Sequence, residues 1–123
     1  PIKSLVDFIK QKKTISICFP RNISNYKKFV DNVKPDIISI DYNVDPSIIR
    51  DTIDIPVQGG VQGGLDPKIL LQDKEVMRNE VTKYLKTFYK KRYIFNLGHG
   101  VLPETNPNMV KYLVDEVRSF NGQ

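Results

Sequence analysis

Apolar side chains along this sequence recur with two periods, and the two alternate. Ile2, Leu5, Val6 and Ile9 fall on one stripe, which predicts a helix over residues 1–10. Residues 14–19 form a short apolar run rich in β-branched side chains, the pattern of a strand buried on both faces. Pro20-Arg21-Asn22 breaks that run. Ser24 is placed to cap a second helix, with Tyr26, Phe29, Val30 and Val33 on its apolar stripe. Pro35-Asp36 turns the chain into a second strand over residues 37–42. Asp45-Pro46 is a cap followed by proline at the first helical position, and it predicts a short helix with Ile48, Ile49 and Ile53 inward.

Ile55-Pro56-Val57 opens a third strand, which the following glycines are expected to close. Asp66-Pro67 repeats the cap-and-proline start. The helical stretch after it reaches about Tyr89, with a break near Asp73, and turns Met77, Val81, Tyr84, Leu85 and Phe88 inward. Residues 93–97 read as a fourth strand. Pro107 starts a last helix with Val110, Leu113, Val114 and Val117 on one face, and Gly122 is placed to end it.

The order is therefore a helix followed by four strand–helix units. Continuous apolar strands joined by helices predict an α/β fold with a parallel sheet and right-handed crossovers. Four such units fit an open doubly wound sheet or half of an eight-stranded (β/α)8 TIM barrel. The first helix has no strand before it, which favours the half barrel and implies a preceding strand. No linker-like stretch divides the chain, so residues 1–123 read as a single unit. Val57-Gln58-Gly59-Gly60 is copied at once as Val61-Gln62-Gly63-Gly64, a tandem too short to be a structural repeat.

Composition narrows the function classes. The 123 residues carry a net charge of +5, a balance that suits polyanionic partners. The basic residues are scattered over helix faces and loops, however, and only Lys86, Lys90, Lys91 and Arg92 approach a cluster. A solvated helix surface is the reading taken, with no nucleic-acid partner. No apolar run approaches the length that crosses a bilayer, so no membrane partner is expected. A single cysteine, Cys18, excludes an internal disulfide and a multi-cysteine metal cluster; it reads as a small buried side chain and fits a cytoplasmic location.

The chemistry concentrates at strand ends. His99 is the only histidine. It stands between Gly98 and Gly100, where the fourth strand gives way to a loop, and parallel α/β sheets place their binding residues at such points. A lone histidine without cysteine or histidine partners makes a poor zinc site, so no metal is assigned. Asp41 closes the second strand and either orients a loop or lines the pocket. Asp66 reads as a helix cap. The glycines from Gly59 to Gly64 match neither phosphate-loop spacing and read as turn chemistry. No Ser/His/Asp or Cys/His triad can be assembled.

Phe95-Asn96-Leu97-Gly98-His99-Gly100-Val101-Leu102-Pro103-Glu104-Thr105, with Pro107 and the helix after it, resembles the C-terminal signature of the uroporphyrinogen decarboxylase family. Val61-Gln62-Gly63-Gly64-Leu65-Asp66-Pro67 resembles that family's Q-G-N-L-D-P segment, with Gly64 where asparagine is usual. Ile40-Asp41-Tyr42 is similar to its L-D-W strand end, and residues 15–20 to the strand before it. The resemblance covers essentially the whole chain and matches the last four units of the family's barrel. It implies loss of four acetate carboxyls from uroporphyrinogen III to give coproporphyrinogen III in porphyrin and heme biosynthesis. It also implies a cytoplasmic homodimer when full length, with no metal or organic cofactor.

The family's catalytic aspartate, its substrate-gripping arginines, and a tyrosine and serine of the pocket belong to the other half. No catalytic residue is therefore carried over onto this chain. The resemblance carries only the histidine after the eighth strand, onto His99, as a substrate-binding residue. Asn96, Gly98, Gly100 and Asp41 are candidate lining of the same pocket. Two other functions compete. A zinc- or cobalamin-linked methyltransferase of the same superfamily would carry cysteine in place of His99, and a His-x-Cys pair where this chain has Ser16-Ile17-Cys18. A non-catalytic half barrel would instead associate with a partner chain through its unpaired strand edges.

Overall fold

Four parallel strands pair strictly in chain order. The computed structural model describes residues 1–53 and 59–122. Helix α1 (Ile2–Gln11) leads to β1 (Ile17–Cys18), α2 (Tyr26–Val33), β2 (Ile37–Ile40) and α3 (Pro46–Thr52). Strand β3 (Gly60–Gly63) follows, then a 3-10 helix (Pro67–Leu71), α4 (Lys74–Thr87), β4 (Tyr93–Ile94) and α5 (Pro107–Ser119). A doubly wound sheet needs its strand order to reverse, which sends helices to both faces. Here each strand lies beside the next, so right-handed crossovers keep the helices on one face, as in an arc of a (β/α)8 barrel.

The register fixes which side chains meet the helices. Cys18, Ile38, Val61 and Tyr93 are aligned across the sheet on one face. Ile38, Ile40 and Val61 are buried there, in one cluster with Leu65, Leu70, Met77, Val81 and Phe88. Each such side chain contributes roughly 1.5–3 kcal/mol on burial. Ser39, Gln62 and Ile94 are aligned on the opposite face. Among the described residues no helix covers it: Ile17 is 52% exposed and Ile94 45%. The strands read as apolar throughout because both faces suit a dry environment, yet only one is covered here.

Helix starts follow the sequence closely. Asp45, Asp66 and Asn106 each accept a backbone N–H from the second residue on, with proline between. Asp73 accepts from the backbone of Val76 and starts α4 where the break was expected. Other details differ. Asn25, not Ser24, caps α2 by accepting from Lys28. Ile48 is exposed, whereas Ile49 and Ile53 are buried; neighbours on a helix point about 100° apart, so Ile48 turns outward when Ile49 turns in, and Ile53 is extended backbone beyond the helix end. Strands β1, β2 and β4 are shorter than their apolar runs. Gly122 has φ +91° but lies beyond α5, which already ends at Ser119 with Phe120 extended.

The third strand departs most from expectation. The stretch expected to open it, Ile55-Pro56-Val57, lies outside the described residues. The glycines do not close the strand; they are part of it. The second tandem copy supplies Val61-Gln62-Gly63, paired with Ile38, Ser39 and Ile40 on one side. Among the described residues no helix is long and apolar enough to cross a membrane.

Candidate functional site

The C-terminal ends of the strands are drawn together by missing side chains. Beyond β3 and β4 the ladder continues as a Leu65–Leu97 bridge, with Leu65 N–H donating to Asn96 O at 3.2 Å and Gly98 N–H to Leu65 O at 2.7 Å. A Cβ on Gly98 would stand 2.5 Å from the backbone nitrogen of Tyr42, and one on Gly64 2.5 Å from the carbonyl of Ile40. Any larger residue at either position would push three strand ends apart. From the helix side, the Tyr84 hydroxyl donates to Gly64 O at 2.9 Å and the Tyr93 hydroxyl to Gly63 O. Burial pushes the Tyr84 phenol up to about 12 and pushes that of Tyr93 up as well. Both therefore stay neutral donors at physiological pH.

Asp41 joins two loops to this stack. It is buried, 6% exposed, and its carboxylate accepts from the backbone of Asn22 at 3.3 Å and of Asn43 at 2.9 Å. Its own backbone N–H donates to the Tyr26 hydroxyl at 3.2 Å. Of its two possible roles, the structure displays the loop-orienting one. Asp41 is not among the residues that line the neighbouring cleft.

That cleft, of about 530 Å³, opens on the uncovered face at the strands' C-terminal ends. Asn96, Gly98, His99 and Gly100 all line it. Asn96 accepts the backbone N–H of Leu97 through its side-chain oxygen, which fixes the turn into Gly98. Nothing would stand within 4 Å of a Cβ on Gly100, so the loop past His99 faces open space. The His99 imidazole is exposed, and its Nε2 lies 2.9 Å from Nη2 of Arg21. A guanidinium is only a donor. In a hydrogen bond between them Nε2 is therefore the acceptor, the role it has in the Nδ1–H tautomer.

Arg21, Ser39 and Gln62 also line the cleft and were not singled out from the sequence. Gln62 donates to the Ser39 hydroxyl at 3.3 Å. A signal existed: Ser39 and Gln62 are polar positions inside apolar strands, and Arg21 follows the first strand as His99 follows the fourth. Pro20-Arg21-Asn22 was read only as a break. The opposite ends of the strands are closed instead by Asp36, whose carboxylate accepts both the backbone N–H and the hydroxyl of Ser16 at 2.8 Å. Those bonds, the backbone one foremost, hold its carboxyl below the usual aspartate range. Cys18 shares the helix-facing side with Ile38, and burial, aided by the Asp36 charge, pushes its thiol up. Among the described residues no three His, Cys, Asp or Glu side chains gather as metal ligands would.

A family model described as uroporphyrinogen decarboxylase (URO-D) matches residues 1–120. The chain is 38% identical over 123 residues to the uroporphyrinogen decarboxylase of Rickettsia felis. It is 37% identical to that of Rickettsia canadensis and 36% to that of Rickettsia africae. Each comparison covers 98% of this chain and 35% of the relative. The chain thus spans about a third of the length of these curated relatives.

Proposed function

Because the chain belongs to the uroporphyrinogen decarboxylase family, we propose that it supplies one part of an enzyme converting uroporphyrinogen III to coproporphyrinogen III. In each of four rounds an acetate side chain loses carbon dioxide. The pyrrole ring takes up a proton, the C–C bond breaks and its electron pair passes into that ring, the exocyclic carbon left behind takes up a proton to become a methyl group, and the ring gives back the proton it had gained, so that each round consumes one proton and releases one carbon dioxide. The substrate is its own electron sink, and the aspartate that stabilises the cationic ring in this family has no counterpart in these residues. The chain's share is to hold substrate. His99 presents its imidazole where the strands end, in a cleft lined by donors. A hydrogen bond from that ring to a carboxylate is strengthened by the charge it meets.

The observation that carries this reading is the exposed His99 ring at the mouth of that cleft, on the loop matching the family signature. The uncovered sheet face supports it too. Ile17, Phe19 and Ile94 stand exposed where the remaining strands of a barrel would pack. A cytoplasmic location, a homodimer and independence of metal or organic cofactors belong to the same proposal and rest on family resemblance. The methyltransferase alternative has less support. It needs a thiolate on the cleft side, whereas Cys18 is on the helix side with its thiol pushed up.

The test is a His99→Gln substitution in the polypeptide as its gene encodes it, assayed with uroporphyrinogen III. Loss of one charge-assisted bond lowers kcat/KM about tenfold to a hundredfold. An unaltered kcat/KM would remove His99 from the site, and a wild-type protein that leaves uroporphyrinogen III untouched would remove the activity.

A further inference from the structure

We infer that Arg21 and His99 form a two-donor clamp for a single carboxylate, with Arg21 a substrate-binding residue in its own right. The inference deepens the proposed reading and rests on it for the identity of the carboxylate's bearer. Three observations carry it.

The first is the lining of the cleft. Arg21, Ser39, Gln62, Asn96 and His99 supply its polar side chains, and among the described residues no Asp or Glu lines it. An anion entering there meets N–H and O–H groups and no carboxylate of those residues. The second is the state of Arg21. Its side chain is exposed, and no carboxylate among the described residues pairs with it. Its partner is the neutral Nε2 of His99 at 2.9 Å. A guanidinium has five N–H donors in a planar fork, and one bond to an imidazole leaves the others open toward the cleft.

The third observation is how the pair is positioned. β1 and β4 are the outermost strands of the sheet, three strand spacings apart, or about 14 Å. Two side chains at their ends meet only because both loops lean inward onto one point. The residue after Arg21 hangs by its N–H on the Asp41 carboxylate. The residue before His99 packs its bare α-carbon on the backbone of Asp41 and Tyr42. Asp41 and Tyr42 thus set the separation of guanidinium and imidazole. A carboxylate has two oxygens, and one placed between them takes an N–H of Arg21 on one. The other receives an N–H from His99 Nε2, the ring atom that faces Arg21, as the imidazole passes from its Nδ1–H to its Nε2–H tautomer once Arg21 no longer donates to it. The direct contact between them is the resting arrangement that the carboxylate replaces.

The test uses Arg21→Gln and Arg21→Lys in the polypeptide as its gene encodes it. With uroporphyrinogen III, Arg21→Gln raises KM about tenfold or more while kcat stays within about threefold. Arg21→Lys recovers part of the loss, since it restores charge without the fork. The 15N signals of the His99 ring report the resting contact independently of turnover. In the wild type the ring proton is on Nδ1, and in Arg21→Gln it moves toward Nε2, the tautomer preferred by free neutral histidine. Direct titration with coproporphyrin III separates this inference from the activity. If the wild type decarboxylates nothing yet Arg21→Gln weakens coproporphyrin binding about tenfold, the clamp stands and the enzymatic reading falls. An unchanged KM and an unchanged coproporphyrin affinity in Arg21→Gln would overturn the clamp. So would a fall in kcat at constant KM, which would make Arg21 a positioning residue only.

Discussion

The two faces of one sheet differ more than their sequences do. Ile38, Ile40 and Val61 face the helices and are at most 3% exposed. Ile17 and Ile94, on the same strands or their neighbours, are about half exposed on the other side. The residue types are the same; the difference is whether a second layer exists. An isoleucine stabilises only when something removes its surface from water. The helix-facing side therefore accounts for the stability of this chain. The uncovered side holds the cleft and the polar groups Ser39, Gln62 and His99.

Substitution on the covered face should have the largest effect. Ile40→Ala should lower unfolding stability by about 2–5 kcal/mol in a urea titration, because a fully buried side chain leaves a cavity the sheet cannot close. A loss below about 1 kcal/mol would show that the helix layer is not packed as described. The strand ends away from the cleft come next. Asp36→Asn should cost about 1 kcal/mol at neutral pH, since its carboxylate accepts two bonds from Ser16. The sign of its pH dependence follows from its depressed acidity. A carboxyl held below its unfolded value of about 3.9 stabilises fully above that value and loses this contribution as pH falls through the folded one. The gap between wild type and Asp36→Asn should therefore narrow below about pH 4. A gap that stayed constant to pH 2 would assign the effect to shape, not charge.

The smallest effect belongs to the uncovered face. Ile94→Ser should change the stability of the 123-residue chain by less than about 0.5 kcal/mol. In the polypeptide as its gene encodes it, where the proposed remaining strands pack on this face, the same substitution should cost more than about 2 kcal/mol. Equal small costs in both would mean that the face is not the lining of a closed barrel.

The fold was legible because helices and strands here have strong local causes. Asp45-Pro46 and Asp66-Pro67 began helices where their capping chemistry placed them, and α4 starts at the break expected near Asp73. The continuous apolar strands announced burial on both sides and hence a parallel sheet. What escaped was decided by tertiary geometry. Arg21 reads as one more loop cation until the Asp41 anchor brings it across two strands to His99. Asp41 itself could have faced either way; the unsatisfied N–H groups of Asn22 and Asn43 determined that it turned to the backbone. The glycines of the third strand were expected to close it because glycine normally weakens strands, yet Gly60 and Gly63 lie within it. Here close approach to Ile40 and Arg92 leaves room for nothing larger.

The tandem Val-Gln-Gly-Gly makes the address of that third strand degenerate. A shift by one copy is an even number of residues, so it would present the same types to the same faces. The tie is broken downstream. In the shifted frame Val61 would underfill the sealed seat of Leu65, which is 0% exposed. Gln62 would also stand where Asp66 now caps the 3-10 helix. One leucine and one aspartate thus choose between two otherwise equivalent alignments, and through the Leu65–Leu97 bridge that choice sets the height at which His99 emerges above the sheet.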